Sequence, residues 1–204
     1  FNVTNLYDKK LSRSKINSSY NIPSSHILIG YVGRLVSWKH VEDILYALSI
    51  VISLDKVKNI HLLIAGTGDQ EYINKLVTII EDKKLTKYIT MIGFVNNPSL
   101  ILSSLDLFIA SSHDEPFGRV LVESMLQKTP VLASDSGGHV EIINHGVNGF
   151  LYSPSFVESL SDMVVKIVSE ETNKDIIETA YNFSVDHYSI QNHTDAVVSI
   201  YKSL

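Results

Sequence analysis

The sequence predicts a doubly wound α/β domain: a parallel sheet covered by helices on both faces. Three observations predict it. Short runs such as ILIGYV (27–32) and HLLIA (61–65) are apolar almost throughout, as in strands buried on both sides. The stretches between such runs carry apolar residues at helical spacing. Gly, Pro, Asn and Asp cluster where one kind of segment gives way to the other.

In chain order, residues 1–26 are polar and rich in Ser, Asn and Lys, and read as a connector ending at Pro23-Ser24-Ser25. Residues 27–32 are the first strand. Val41, Ile44, Leu45, Leu48 and Ile52 then mark a helix. Strand 61–65 ends at Gly66-Thr67-Gly68, and Asp69 is placed to cap the next helix, whose apolar face is Ile73, Leu76, Ile79 and Ile80. Ile89–Ile92 is a strand. Asn97-Pro98 is a helix start, a cap followed by a first-turn proline. Strands follow at Asp106–Ala110, Val131–Ala133 and Gly149–Tyr152. Helices follow at Gly118–Gln127 and near Gly138, and from Ser155 the chain reads as mostly helical.

The 204 residues, 45% of them hydrophobic, suffice for one domain with a full core. A net charge of -5, with no basic face evident at the whole-chain level, argues against a nucleic-acid partner. The chain has no cysteine, so disulfides, thiolate nucleophiles and Cys-based zinc sites are excluded. No apolar run approaches the roughly 18 residues of a membrane span. The chain opens on Phe1, which reads as an excised fragment with no signal peptide.

Doubly wound sheets bind ligands at the carboxyl ends of their strands. The informative loops are therefore 33–40, 66–69, 93–98, 111–118 and 134–139. In the first, Gly33 allows close backbone approach, and Arg34 and Lys39 supply two cations suited to a diphosphate. The plainer alternative is a surface loop with solvated charges and Trp38 on the rim. Gly66-Thr67-Gly68-Asp69 lacks the full G-x-G-x-x-G pattern and reads as a strand-to-helix turn.

Loop 111–118 is the strongest. Pro116 keeps Glu115 out of helical conformation. The N–H groups of Phe117, Gly118 and Arg119 then sit at a helix start, where anions are favoured. Glu115 and Glu123 flank this turn. The alternative is capping by Asp114 or Glu115, worth about 0.3–1 kcal/mol, with Glu123 on a solvated face. Ser136-Gly137-Gly138 is a second backbone-donor turn, or a flexible connection with Ser136 as cap. A hydrolase reading of the two carboxylates leaves the cations unexplained. The eight His show no ligand spacing, so no metal is expected; His113 and His139 lie in candidate site loops. No G-x-S-x-G elbow is present.

Together, YVGRL with Lys39 after it, LIAGTG, Gly93-Phe94-Val95, EPFG with Glu123 seven residues beyond Glu115, ASDSGG, Glu141 and NGFL (148–151) resemble the donor-binding, C-terminal domain of group 1 (family 4) glycosyltransferases. The match runs from about Ile27 to Leu151 in order and spacing. The resemblance implies a GT-B architecture, of which this chain is the C-terminal half: connector 1–26, a sugar-nucleotide-binding domain 27–188 and a C-terminal crossover helix 189–204. It implies a retaining hexosyltransferase that needs no metal or other cofactor and uses a nucleotide-diphosphate sugar. Arg34 and Lys39 match the diphosphate-holding positions, and Glu115 matches the carboxylate that touches the transferred sugar. Glu123 matches the ribose ligand. Phe117, Gly118 and Arg119 match the turn whose backbone faces sugar and phosphate, Val95 matches the lining of the base, and Gly33 joins the donor-binding set through the close approach its loop allows.

Within the family the pattern is closest to mannosyltransferases using GDP-mannose to build an envelope glycan such as lipopolysaccharide core. The partner would be a glycan or lipid-linked acceptor, bound by the absent N-terminal domain. The location would be cytoplasmic, in the whole protein at the inner membrane face. A non-catalytic nucleotide-sugar-binding module and an epimerase are the alternatives. Two positions depart from the family: His40 stands where glycine usually follows the lysine, and Lys128-Thr129 replaces Gly-Thr or Gly-Val before Pro130. The first predicts an altered loop backbone.

Overall fold

The structure, a computed structural model, describes residues 6–154, 156–170 and 174–203. Residues 1–5 at the head of the expected connector, Ser155 and Leu204 lie outside the described residues. Six strands form one sheet: β1 (Ile27–Val32), β2 (Ile60–Ala65), β3 (Ile89–Gly93), β4 (Leu107–Ala110), β5 (Val131–Ser134) and β6 (Phe150–Tyr152). The order is β3-β2-β1-β4-β5-β6, with every pairing parallel. This is the doubly wound, Rossmann-like arrangement the sequence predicts. The winding reverses between β1 and β4, which opens a crevice beyond their carboxyl ends.

Alternate residues of each strand feed opposite layers. In β1, Ile29 and Tyr31 enter one core, and Leu28 and Val32 enter the other. Helices α2 (Val41–Ser53), α3 (Gln70–Asp82) and α7 (Val157–Ser169) cover the first face. The second is covered by α1 (Lys9–Tyr20), α4 (Pro98–Ser104), α5 (Arg119–Leu126) and α8 (Lys174–Tyr188). The short α6 (His139–Ile142) follows β5, and α9 (Ile190–Ser203) ends the chain with Ile190, Ile200 and Tyr201 exposed. The caps fall where the sequence puts them. Asp69 accepts from the Glu71 N–H at 2.9 Å, and Asn97 accepts from the Leu100 N–H at 3.2 Å. No helix among the described residues is long and apolar enough to cross a membrane.

The stretch read as a plain connector contains α1, which packs against α4. It escaped the apolar pattern because much of its anchoring is polar. Arg13 donates to the Ser104 and His26 carbonyls at 2.6 Å each and to Asp106 at 2.7 Å. The buried Ser12 hydroxyl accepts from Ser103 at 2.8 Å. Asp106 also accepts the Leu28 N–H at 2.8 Å, so one carboxylate ties the helix to β1.

Candidate functional site

A cavity of about 490 Å³ opens where β1 and β4 part. The ends of those strands form its floor (Val32, Phe108, Ala110), with Gly33 and Ser112 just beyond. Eight of the nine predicted site residues line it: Gly33, Arg34, Lys39, Glu115, Phe117, Gly118, Arg119 and Glu123. Val95 does not. It lies beyond the edge strand β3, two places from β1, and packs its side chain against the hydrophobic layer. Phe94 beside it is 73% exposed.

Glycines let three loops lie backbone against backbone. A Cβ on Gly66 would stand 1.8 Å from the Gly33 carbonyl oxygen, and one on Gly68 2.1 Å from that of Leu35. The Leu35 N–H bonds the Thr67 carbonyl at 3.0 Å. Gly66-Thr67-Gly68 is thus a packing turn that braces loop 33–40, as its incomplete motif indicated. Gly137-Gly138 does the same for the EPFG turn. The Gly138 N–H donates to the Glu115 carbonyl at 2.6 Å, and a Cβ there would meet Phe117 Cα at 2.7 Å. This is a fixed contact, so the flexible-connection reading is corrected.

The charges then converge. The Lys39 ammonium pairs with the Glu115 carboxylate, and the two side chains are only 16% and 13% exposed. Ser112 donates to the same carboxylate oxygen at 2.8 Å, and the Ser111 hydroxyl fixes the Lys39 carbonyl at 2.8 Å. Burial alone would raise the Glu115 pKa, but hydrogen bonds from Lys39 and Ser112 outweigh it and hold the carboxyl below its usual value. Lys39 also lies 4.1 Å from the centre of the Trp38 ring, and the exposed Arg34 guanidinium lies 5.6 Å from it. Glu123 faces the cavity on α5, with Arg119 3.7 Å away; burial raises its pKa against the pull of that cation.

Helix α5 starts after Gly118, whose backbone is left-handed (φ 91°), and no side chain caps it. Capping by Asp114 or Glu115 is therefore not what these carboxylates do. Among the described residues, the Phe117 and Gly118 N–H groups donate no hydrogen bond. Glu141 is exposed, on a different concavity from the main site.

Sequence reasoning gives Tyr31 and Ser112 no role in the site and places His139 only in a candidate loop, although all three line the cavity. The Tyr31 hydroxyl donates to the Arg34 carbonyl at 2.8 Å, and burial holds its pKa well above the usual range. The signal for Ser112 was a small polar residue directly beyond a buried strand.

His40 has φ 49°, and Lys128 has φ 55°. Both departures from the family pattern thus sit in the left-handed conformation that glycine favours. For His40, a residue with a Cβ holds this conformation at a cost of roughly 1–2 kcal/mol. The His40 and His113 rings stack 3.7 Å apart and within 5° of parallel, beside Asp43. The ligand atoms of these three residues lie within 4.8 Å of one another, although no sequence spacing announced them. Two rings in parallel planes cannot direct their lone pairs at one ion, and His113 Nε2 instead meets Asp43 at 3.0 Å.

The family profile described as glycosyl transferases group 1 matches residues 12–183. An uncharacterised glycosyltransferase of Methanocaldococcus jannaschii is 32% identical over 203 residues, covering 96% of this chain and 50% of that protein. Anabaena HepE, solved in complex with UDP-glucose, is 26% identical with a TM-score of 0.89, covering 100% of this chain and 56% of that one. The C-terminal domain of LpcC, a group 1 glycosyl transferase of Francisella tularensis, superposes with a TM-score of 0.80 at 23% identity, covering 94% of this chain and 100% of that one. The chain thus spans about half the length of the curated relatives it matches, and its fold is that of GT-B C-terminal domains. It belongs to the group 1 glycosyl transferases.

Proposed function

We propose that this chain is the donor-binding half of a retaining, metal-independent glycosyltransferase that moves a hexose from a nucleoside-diphosphate sugar to an envelope glycan or lipid-linked acceptor. One observation carries this reading. A lysine–glutamate pair stands at the switch point of the sheet, beside an uncapped helix start. A hexosyl diphosphate needs cations and backbone donors at one end and an anion at the other.

When the bond to the leaving phosphate breaks, negative charge grows on that oxygen. Arg34, Lys39 and the backbone N–H groups at the start of α5 stabilise it. Lys39 gives one of its three donors to Glu115 and keeps the others for phosphate. The sugar becomes oxocarbenium-like, and the ionised Glu115 favours that charge and orients its hydroxyls. Glu123 accepts from the ribose hydroxyls. The acceptor attacks from the face the phosphate leaves, so anomeric configuration is kept, and Glu115 is not a nucleophile. The acceptor is held by a further domain of the whole protein, at the inner membrane face.

The sequence resemblance points to GDP-mannose as donor, and the similar HepE, solved with UDP-glucose, supports a uridine nucleotide instead. Calorimetric or NMR titration with GDP-mannose, UDP-glucose and UDP-N-acetylglucosamine tests both, with Glu123→Ala as control. Saturable binding of one nucleotide sugar, lost in the variant, supports the reading. If the isolated chain and the full-length protein both bind none, the reading is wrong.

A further inference from the structure

His139 lines the cavity, is 1% exposed, and has no part in the proposed reaction. Its hydrogen bonds fix where its protons are. The Ser134 hydroxyl has one proton and makes a close contact with the Ser112 carbonyl oxygen, which can only accept. That proton therefore points to Ser112. His139 Nδ1 lies 3.0 Å from the same hydroxyl oxygen and 3.2 Å from the Ser134 carbonyl oxygen. Both now act as acceptors, so Nδ1 must carry a hydrogen. Burial lowers the pKa of this imidazole, with Glu115 opposing, so at neutral pH the ring is uncharged and has only one N–H. Nε2 is thereby left as a bare lone pair.

In an imidazole the edge opposite Nδ1 is the Nε2–Cδ2 bond. Cδ2 lies 3.1 Å from where a Gly118 Cβ would stand, which puts this edge against the EPFG turn. Among the described residues, Nε2 has no hydrogen-bond partner. It is not among the buried polar atoms sealed from solvent, so it opens onto the cavity. A phosphate oxygen cannot pair with this lone pair, because it too is an acceptor. A hydroxyl or amide N–H can.

We infer that His139 reads the transferred sugar: its Nε2 accepts a hydrogen bond from a sugar hydroxyl held between the Gly118 turn and Glu115. This rests on the donor-binding reading above, and adds a residue that senses the sugar and not the nucleoside diphosphate. A site built to accept from a hydroxyl rejects an analogue that lacks it far more strongly than an apolar wall would.

The test compares His139→Asn with His139→Gln in this chain. Asparagine keeps a donor for Ser134 in place of Nδ1 but has nothing at Nε2; the glutamine carbonyl reaches the Nε2 position. Each variant is titrated with UDP, GDP, UDP-glucose, GDP-mannose and UDP-N-acetylglucosamine, and the wild type is followed by imidazole ¹⁵N NMR. Free His139 is expected to show a protonated Nδ1 and an unprotonated Nε2. The Nε2 signal should move with the bound nucleotide sugar and stay still with its nucleoside diphosphate. His139→Asn should weaken the nucleotide sugar about tenfold, the loss of one hydrogen bond, leaving the diphosphate unchanged, and His139→Gln should recover most of it. A protonated Nε2 in the free chain, equal losses for diphosphate and nucleotide sugar, or no loss for either overturns the inference while the donor-binding reading stands. If neither this chain nor the full-length protein binds a nucleotide or nucleotide sugar, both fall together.

Discussion

The Lys39–Glu115 pair is the feature whose removal has the most calculable effect. Removing one partner of a buried pair costs about 3–5 kcal/mol when the charge left behind has no solvent. Here the side chains keep 16% and 13% exposure and border a cavity that water can enter, so the cost is lower. We expect Lys39→Met and Glu115→Gln each to lose about 2 kcal/mol at pH 7. The double variant should lose little more than either, because matched neutral side chains leave no orphan charge. The coupling from a double-mutant cycle is then about 2 kcal/mol, against the roughly 0.3–0.5 kcal/mol within which independent sites add.

The pH dependence gives a second check on the pair. In the wild type the Glu115 pKa is lowered, so its contribution is present above the unfolded value near 4.5 and is lost as pH falls through the folded value. In Lys39→Met, burial is opposed by Ser112 and more weakly by His139, so the folded pKa rises and protonation relieves the stranded charge. The gap between wild type and Lys39→Met should narrow from pH 7 to pH 4. Urea unfolding at both pH values measures it. Additive single losses, or a gap that does not change with pH, would refute this account of the pair.

Three further expectations follow from geometry. A Cβ on Gly138 meets the Phe117 and Pro116 backbone at 2.7 Å, whereas one on Gly146 meets nothing within 4 Å. Gly138→Ala should cost about 2 kcal/mol by overpacking and weaken donor binding; Gly146→Ala should cost only its left-handed strain, about 1 kcal/mol. Thermal unfolding ranks the two. His40→Gly should stay within about 0.5 kcal/mol of wild type, while the β-branched His40→Val should lose about 2 kcal/mol at φ 49°, again read by unfolding. Burial, helped by His26, pushes the His61 pKa down from 6.5 to about 4. The unfolded chain therefore takes its proton first as pH falls. About 3 kcal/mol should be lost between pH 6.5 and 4 from this group, and His61→Leu should flatten that part of the curve. An NMR titration placing the His61 pKa near 6.5 would remove the basis for this.

What was legible in the sequence follows from which forces act locally. Strands apolar on both faces, the Asp69 and Asn97 caps and the helical spacing of α2 and α3 are short-range patterns, and they fall where the sequence puts them. Helix α1 was opaque because Arg13 and Ser12 dock through hydrogen bonds to residues about ninety positions away, which no apolar period encodes. The His40–His113 stack and the Lys39–Glu115 pair depend on the β1 and β4 loops meeting, which the topology dictates only after the strands are ordered.

His139 shows a different limit. Its position in a candidate loop was readable, but its protonation is set by Ser134 and Ser112, one of them on the preceding loop. A tautomer is a property of a network, and sequence gives only the members. The same reasoning separates the two carboxylates that the motif presents as equivalent. Glu115 is held ionised chiefly by an ammonium and a hydroxyl, and burial pushes the Glu123 pKa up against the pull of an exposed arginine. Two glutamates of one motif thus enter the cavity with their proton affinities shifted in opposite directions. In the proposed reaction the one held ionised by Lys39 faces the developing oxocarbenium, and the other faces the neutral ribose hydroxyls.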